Sequence, residues 1–252
     1  MQTHQIKVSQ LSAHYLGTSV LQAVSFEVTQ GNLIGIVGPN GAGKSTLVKA
    51  MLGIIKSTGD VTINGVRLHA LKAKWGRRIS SEANKAAKVA YIKQGGDYDL
   101  TFPILVKDVV MLGLYQAIGP FRRPNKKHRQ LVKDALESVE MSTYSNHQIS
   151  ALSGGQWQRV LIARMLVQDA DVLFLDEPFT GVDVDSEKQI MTILRGLKEK
   201  GKTVFMIYHD LDKVADYFDE VLLVNKGIVA YGPTRNVFTE ENLKRTYMRG
   251  DG

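Results

Sequence analysis

The sequence predicts an α/β fold: a mainly parallel sheet holding a phosphate-binding loop, antiparallel strands around that loop, and a helical insert ahead of the later strands. Three observations predict it. First, Gly38-Pro39-Asn40-Gly41-Ala42-Gly43-Lys44-Ser45-Thr46 fits the pattern of a glycine, four spacers and Gly-Lys-Ser, between the apolar run Leu33–Val37 and the helical stretch 47–52. Second, the apolar runs 172–175 and Thr203–Ile207 end in Asp176-Glu177 and Tyr208-His209, as buried parallel strands do at a ligand-binding edge. Third, the chain turns mostly helical between residues 106 and 166.

Each position of the loop has a physical role. Glycines at 41 and 43 let the backbone bend so that successive N–H groups surround a phosphate. Lys44 neutralises the β- and γ-phosphates of a nucleotide, Ser45 offers a hydroxyl to Mg²⁺, and a helix beginning near Thr46 aims its positive end at the same anion. Alone, the loop specifies an NTPase or a kinase.

Composition narrows the setting. Lys and Arg number 32 against 25 Asp and Glu, a net +7 that suits an anionic neighbour without choosing among nucleotide, phospholipid and nucleic acid. Cysteine is absent, which excludes disulfides and thiolate metal sites and agrees with a reducing compartment. No apolar run approaches the roughly 18 residues of a membrane span, and the first ten residues lack the apolar core of a signal peptide. A protein soluble or peripheral to a membrane is expected.

Ahead of the loop, 6–11 and 21–28 read as strands, with Tyr15 between them placed either to stack on an adenine or as an ordinary strand-end tyrosine. After the helix, Asn64-Gly65 between 60–63 and 66–68 predicts a hairpin. Residues 69–88 carry six basic residues against the single acid Glu82 and read as a solvated excursion, with lipid or partner contact as the alternative. A strand at 89–92 then delivers Gln94 to a carboxyl end. Helices are predicted over 106–115, 126–139 and 156–167, with Val109, Val110, Leu112, Leu131, Leu136 and Val139 as the core of the insert. A helix over 186–200 with Ser186 as its cap, and a closing hairpin around Asn225-Lys226-Gly227, complete the chain.

Asp176 at a strand tip suits Mg²⁺, and Glu177 beside it suits a general base that takes a proton from an attacking water. His209 fits either a group orienting that water or a structural strand-end histidine. The motif that discriminates is Leu152-Ser153-Gly154-Gly155-Gln156, opening a helix: a second anion cradle made of N–H groups, a hydroxyl and a helix dipole.

At these residues the sequence resembles the ATP-binding cassette family, whose signature reads Leu-Ser-Gly-Gly-Gln. Tyr15 matches its adenine-stacking aromatic, 38–46 its Walker A loop, Gln94 its Q-loop, Asp176 and Glu177 its Walker B acid and catalytic glutamate, Asp183 its D-loop and His209 its switch histidine. The resemblance implies a P-loop NTPase core with a mainly parallel sheet, an N-terminal antiparallel β subdomain and an inserted α-helical subdomain, the core spanning 1–95 and 168–252 and the helical part 96–167. It implies ATP and Mg²⁺ as ligands, with Ser45, Gln94 and Asp176 around the metal and Glu177, His209 and Gln94 in catalysis. It also implies a homodimer in which Ser153 to Gln156 and Asp183 of one copy cover the nucleotide of the other.

The resemblance implies a membrane permease docked near the loop 95–105, at the cytoplasmic face of a bacterial membrane, with Tyr98, Phe102 and Pro103 read either as docking contacts or as part of a plain loop. More narrowly, Tyr98-Asp99-Leu100-Thr101-Phe102-Pro103 and Phe179-Thr180-Gly181-Val182-Asp183 look like ATPase subunits of bacterial manganese, zinc and iron importers, which work with an extracytoplasmic metal-binding protein. The stretch after His209 is too short for an appended regulatory domain. Lys93 and Tyr208 depart from the family pattern and bear on docking and on the orientation of His209. A cassette acting on the ribosome or nucleic acid is the rival; a single phosphate loop and no sustained heptads argue against it. A GTPase would carry an Asn-Lys-x-Asp base-reading motif, and here Asn125-Lys126-Lys127-His128 and Asn225-Lys226-Gly227-Ile228 both miss the acid.

Overall fold

The computed structural model describes residues 5–15, 18–68, 87–93, 99–119 and 121–248, without the side chains of residues 14, 15, 18 and 19. Gln94, Tyr98 and most of the basic stretch 69–88 lie outside the described residues, as does the side chain of Tyr15.

Two sheets carry the chain. The first is antiparallel, in the order β2-β1-β4-β5, from β1 (Ile6–Tyr15), β2 (Thr18–Val28), β4 (Ser57–Ile63) and β5 (Val66–Arg67). Its β4–β5 hairpin turns through Asn64 at φ 50° and Gly65 at φ 76°, the paired left-handed residues that the Asn-Gly sequence predicts.

The second sheet runs β10-β9-β3-β8-β7-β6, with β3 (Leu33–Val37), β6 (Val89–Ile92), β7 (Val172–Asp176), β8 (Thr203–Ile207) and β9 (Glu220–Val224) parallel. Only β10 (Ile228–Pro233), at one edge, runs antiparallel, to β9. This is the α/β, phosphate-loop fold predicted from the sequence.

Strand alternation divides the core in two. Ile34 and Ile36, Val172 and Phe174, Phe205 and Ile207, and Leu222 and Val224 face the antiparallel sheet and α1 (Lys44–Met51). Phe174 and Phe205 stack there with centroids 4.8 Å apart. Their neighbours Leu33, Leu173, Leu175, Val204, Met206, Val221 and Leu223 face the other way, toward the helices. A strand buried on both faces must be apolar at every position, which is why these runs lack polar alternation.

Helices α2 (Val106–Leu112), α3 (Tyr115–Ile118), α4 (Lys126–Ser138) and α5 (Gly154–Leu166) come between β6 and β7. Val109, Val110, Leu136 and Val139 are buried among them as expected. Leu112 and Leu131 are not: they are 52% and 38% exposed, because α2 ends at Leu112 and both side chains line an open groove with Tyr91, Tyr115 and Arg164.

A second correction concerns α6 (Val184–Glu199), which begins two residues earlier than predicted. Its cap is Asp183, whose carboxylate accepts the Ser186 N–H at 2.9 Å and the Ser186 hydroxyl at 2.7 Å. Ser186 is a first-turn residue. The chain then passes through a 3₁₀ turn (Leu211–Lys213) and α7 (Val214–Tyr217), and ends in α8 (Thr234–Val237) and α9 (Glu240–Tyr247) beyond β10.

Candidate active site

The phosphate loop leaves the carboxyl end of β3 and enters α1 at Lys44, two residues before the predicted start. Gly38 sits so close to β9 that a Cβ there would meet the Val224 carbonyl oxygen at 2.0 Å, so no side chain fits. Gly43 has φ 94°, a left-handed value that turns the chain into the helix and that residues with a Cβ avoid. Residues 40–46 line a cavity of about 670 Å³ together with Val20, Glu177 and His209. That is within the range of cavities that hold small-molecule ligands.

Lys44 is buried, and its ammonium donates to the Gly38 and Pro39 carbonyls at 2.8 and 2.9 Å. Burial holds its pKa below the ordinary lysine value, with Glu177 and Asp176 opposing. An anionic phosphate in the cavity would relieve that desolvation. Ser45 donates its hydroxyl to Asp176 Oδ1 at 3.0 Å, so a hydroxyl and a carboxylate meet beside the cavity. These hard oxygen donors fit Mg²⁺.

Tyr91, on β6, donates its hydroxyl to the other carboxylate oxygen, Asp176 Oδ2, at 3.1 Å. Burial, then the Asp176 charge, push the Tyr91 pKa up, so it stays a donor and fixes the carboxylate. The sequence offered no sign of Tyr91 or Val20; only the register of β6 against β7, Tyr91 beside Phe174, brings that hydroxyl to the site.

Glu177 leaves the strand at φ 50°, a left-handed conformation costing a residue with a Cβ about 1–2 kcal/mol. Such strain is kept where surrounding structure enforces it, commonly at active sites. The turn aims its carboxylate back toward His209, whose Nε2 lies 2.6 Å from Glu177 Oε1. The strand-end histidine and the predicted base are therefore brought together at the mouth of the cavity.

Ser153, Gly154, Gly155 and Gln156 stand elsewhere. Ser153 caps α5, its hydroxyl accepting the Gln156 N–H at 3.3 Å, while the Gln156 side chain accepts the Ser153 N–H at 3.0 Å. Ser153 and Gly154 are exposed, and none of the four lines the phosphate cavity of its own chain. They pack on the loop before α6. A Cβ on Gly155 would fall 2.3 Å from Ser186 Oγ, and one on Gly154 would fall 2.6 Å from the Gly181 carbonyl oxygen. Asp183 likewise is exposed and turned to its own helix.

Comparison with known proteins agrees with this geometry. A model of the ABC transporter family matches residues 21–180. The chain is 46% identical over 243 residues to the manganese transport system ATP-binding protein MntB of Listeria innocua, covering 96% of this chain and 95% of that one. It is 42% identical over 245 residues to the zinc transport system ATP-binding protein TroB of Treponema pallidum, covering 97% and 87%. Among solved structures, a metal-chelate type ABC transporter in an inward-facing conformation superposes with a TM-score of 0.81 at 26% identity, over 98% of this chain and 89% of that one. A phosphate cavity with a glutamate and histidine at its mouth, in a chain matched almost end to end, places this protein in the ABC transporter family, among its ATP-hydrolysing subunits.

Proposed function

We propose that this chain drives the uptake of a divalent metal ion, manganese first, by hydrolysing ATP beneath a partner membrane permease. What carries the ATPase chemistry is the convergence of Lys44, Glu177 and His209 on one cavity, with Asp176 beside it on Ser45; what supports the cargo is the near full-length similarity to manganese and zinc transport proteins.

In this reading the loop N–H groups and Lys44 hold the β- and γ-phosphates. Ser45, Asp176 and, by resemblance, Gln94 would hold Mg²⁺, which screens phosphate charge and orients the terminal phosphoryl group. Tyr15 stacks on the adenine. Glu177 accepts the proton of the attacking water, a role worth roughly 10²–10⁴ in rate, or about 3–5 kcal/mol. His209, held by Glu177, steadies that end of the site.

The exposed Ser153 to Gln156, with Asp183, complete the phosphate cage from a second copy of the chain, so that ATP joins two subunits and its hydrolysis releases them. The exposed Phe102 and Pro103 belong to the surface that meets the permease, and an extracytoplasmic metal-binding protein delivers the ion. Among the described residues no helix is long and apolar enough to cross a membrane, and the subunit works from the cytoplasmic face. Nucleic acid has no part in this reading.

Deleting the gene and following uptake of radiolabelled manganese, zinc and iron tests the cargo. Selective loss of manganese uptake is expected; undiminished uptake of all three would refute metal import, and loss of zinc or iron alone would reassign the ion.

A further inference from the structure

Tyr208 stands directly before His209, where the family pattern has a small or polar residue, and it is buried, with 5% of its surface exposed. Its hydroxyl donates to Glu187 Oε1 at 2.7 Å, linking the end of β8 to α6 across 21 residues of sequence. Glu187 is itself 8% exposed, and its other oxygen pairs with Lys213 Nζ at 2.9 Å. Lys213 also reaches Asp210 Oδ2 at 3.3 Å, and the Tyr217 ring lies 5.7 Å from that of Tyr208.

Two kinds of contact thus converge on Tyr208. The hydroxyl is tied to α6, while the ring meets Phe179 edge-on at 5.8 Å and Phe218 at 5.5 Å. Phe179 lies two residues beyond Glu177, so the ring also touches the segment that carries the base. Next to these groups is a cavity of about 190 Å³ lined by Glu177, Phe179, Tyr208 and His209. The ring contacts, the Tyr208 N–H donating to the Ile36 carbonyl at 3.1 Å and the buried side-chain hydrogen bond together hold the residue ahead of His209, and of these only the side-chain bond ties it to α6.

We propose that Tyr208, Glu187 and Lys213 form a clamp that positions His209 against Glu177, tying the histidine to the helix capped by Asp183. The clamp rests on the hydrolysis reading above. Tyr208 and Glu187 touch neither nucleotide nor water in it; they act through His209. If α6 shifts when a second copy seats against the Asp183 loop, the buried bond carries that shift to the histidine.

The test uses steady-state ATP hydrolysis by the full chain, with calorimetric ATP binding and thermal melts as controls. Small misplacements of a reacting group cost up to about 10²-fold. Tyr208→Phe, which keeps the ring and leaves Glu187 paired with Lys213, is therefore expected to lower kcat about tenfold, with KM for ATP within about twofold.

In a His209→Ala background the same change is expected to cost less than about twofold, since a positioning residue has nothing left to position. Glu187→Ala is expected to copy Tyr208→Phe, and Glu187→Gln, which still accepts the tyrosine hydroxyl, to recover most of the rate. The Glu187 pair serves equally if Tyr208→Phe melts early.

A wild-type kcat in Tyr208→Phe, or losses that multiply in the His209→Ala background, would overturn the clamp while leaving ATP hydrolysis standing. A wild type that hydrolyses no ATP would overturn the reading beneath it.

Discussion

The two glycine-rich turns read as anion cradles are built alike and placed differently. Both are glycine-rich turns opening a helix. The phosphate loop is clamped into the core: Gly38 abuts Val224, Ala42 and Lys44 are buried, and the Glu177–His209 pair lines the mouth of its cavity. The Ser153 turn is self-sufficient, with its capping hydrogen bonds made internally and its outer residues exposed. The first holds a buried lysine charge against its cavity; the second presents an open face. In the proposed reading the chain holds one part of the site as pocket and the other as surface.

Four substitutions break or sharpen that contrast. The largest effect is expected from Glu177→Gln, which leaves the cavity intact and removes the base: phosphate release should fall at least about 10²-fold, with ATP affinity kept by calorimetry. A wild-type rate would remove Glu177 from that role. Next, Lys44→Ala takes away the buried ammonium, and ATP affinity of the isolated chain should fall by about one to two decades, as losing a charged hydrogen-bond partner does.

Gly155→Ala acts on the other cradle. Its new methyl meets Ser186, so turnover should fall several-fold while ATP affinity of the single chain stays near wild type; a matching loss of affinity would erase the distinction between the cradles. The smallest effect is expected from Asp183→Ala. Hydrogen bonds from the Ser186 N–H and hydroxyl hold this carboxylate below its ordinary pKa. A depressed carboxylate stabilises the fold above its unfolded pKa and loses that contribution as pH falls through the folded value. The Tm gap between wild type and variant should therefore be full at pH 7 and close below about pH 4.

Much of this was legible in the sequence because it is local. Apolar runs with polar tips specify parallel strands, Asn64-Gly65 specifies its turn, and Gly-Lys-Ser specifies its loop. What was not legible depends on where local segments end or meet. Leu112 keeps helical apolar spacing, yet α2 stops beneath it and leaves it in a groove. Asp183 and Ser186 are both good caps, and the extended backbone of Asp183 decides between them; Asp185 and Glu187, placed to complement the positive end of a helix starting at Val184, were the signal available. Tyr91 on Asp176 joins residues 85 apart through the sheet order, and Tyr208 on Glu187 joins residues 21 apart through the packing of α6 at the end of β8.

The central claim is that Ser153 to Gln156 serve the phosphate loop of another copy. Light scattering of the Glu177→Gln chain with and without ATP tests it most directly. The account predicts a monomer that doubles in mass when ATP and Mg²⁺ are added and stays single when Gly155→Ala is also present; a chain that binds ATP fully at monomer mass would contradict it.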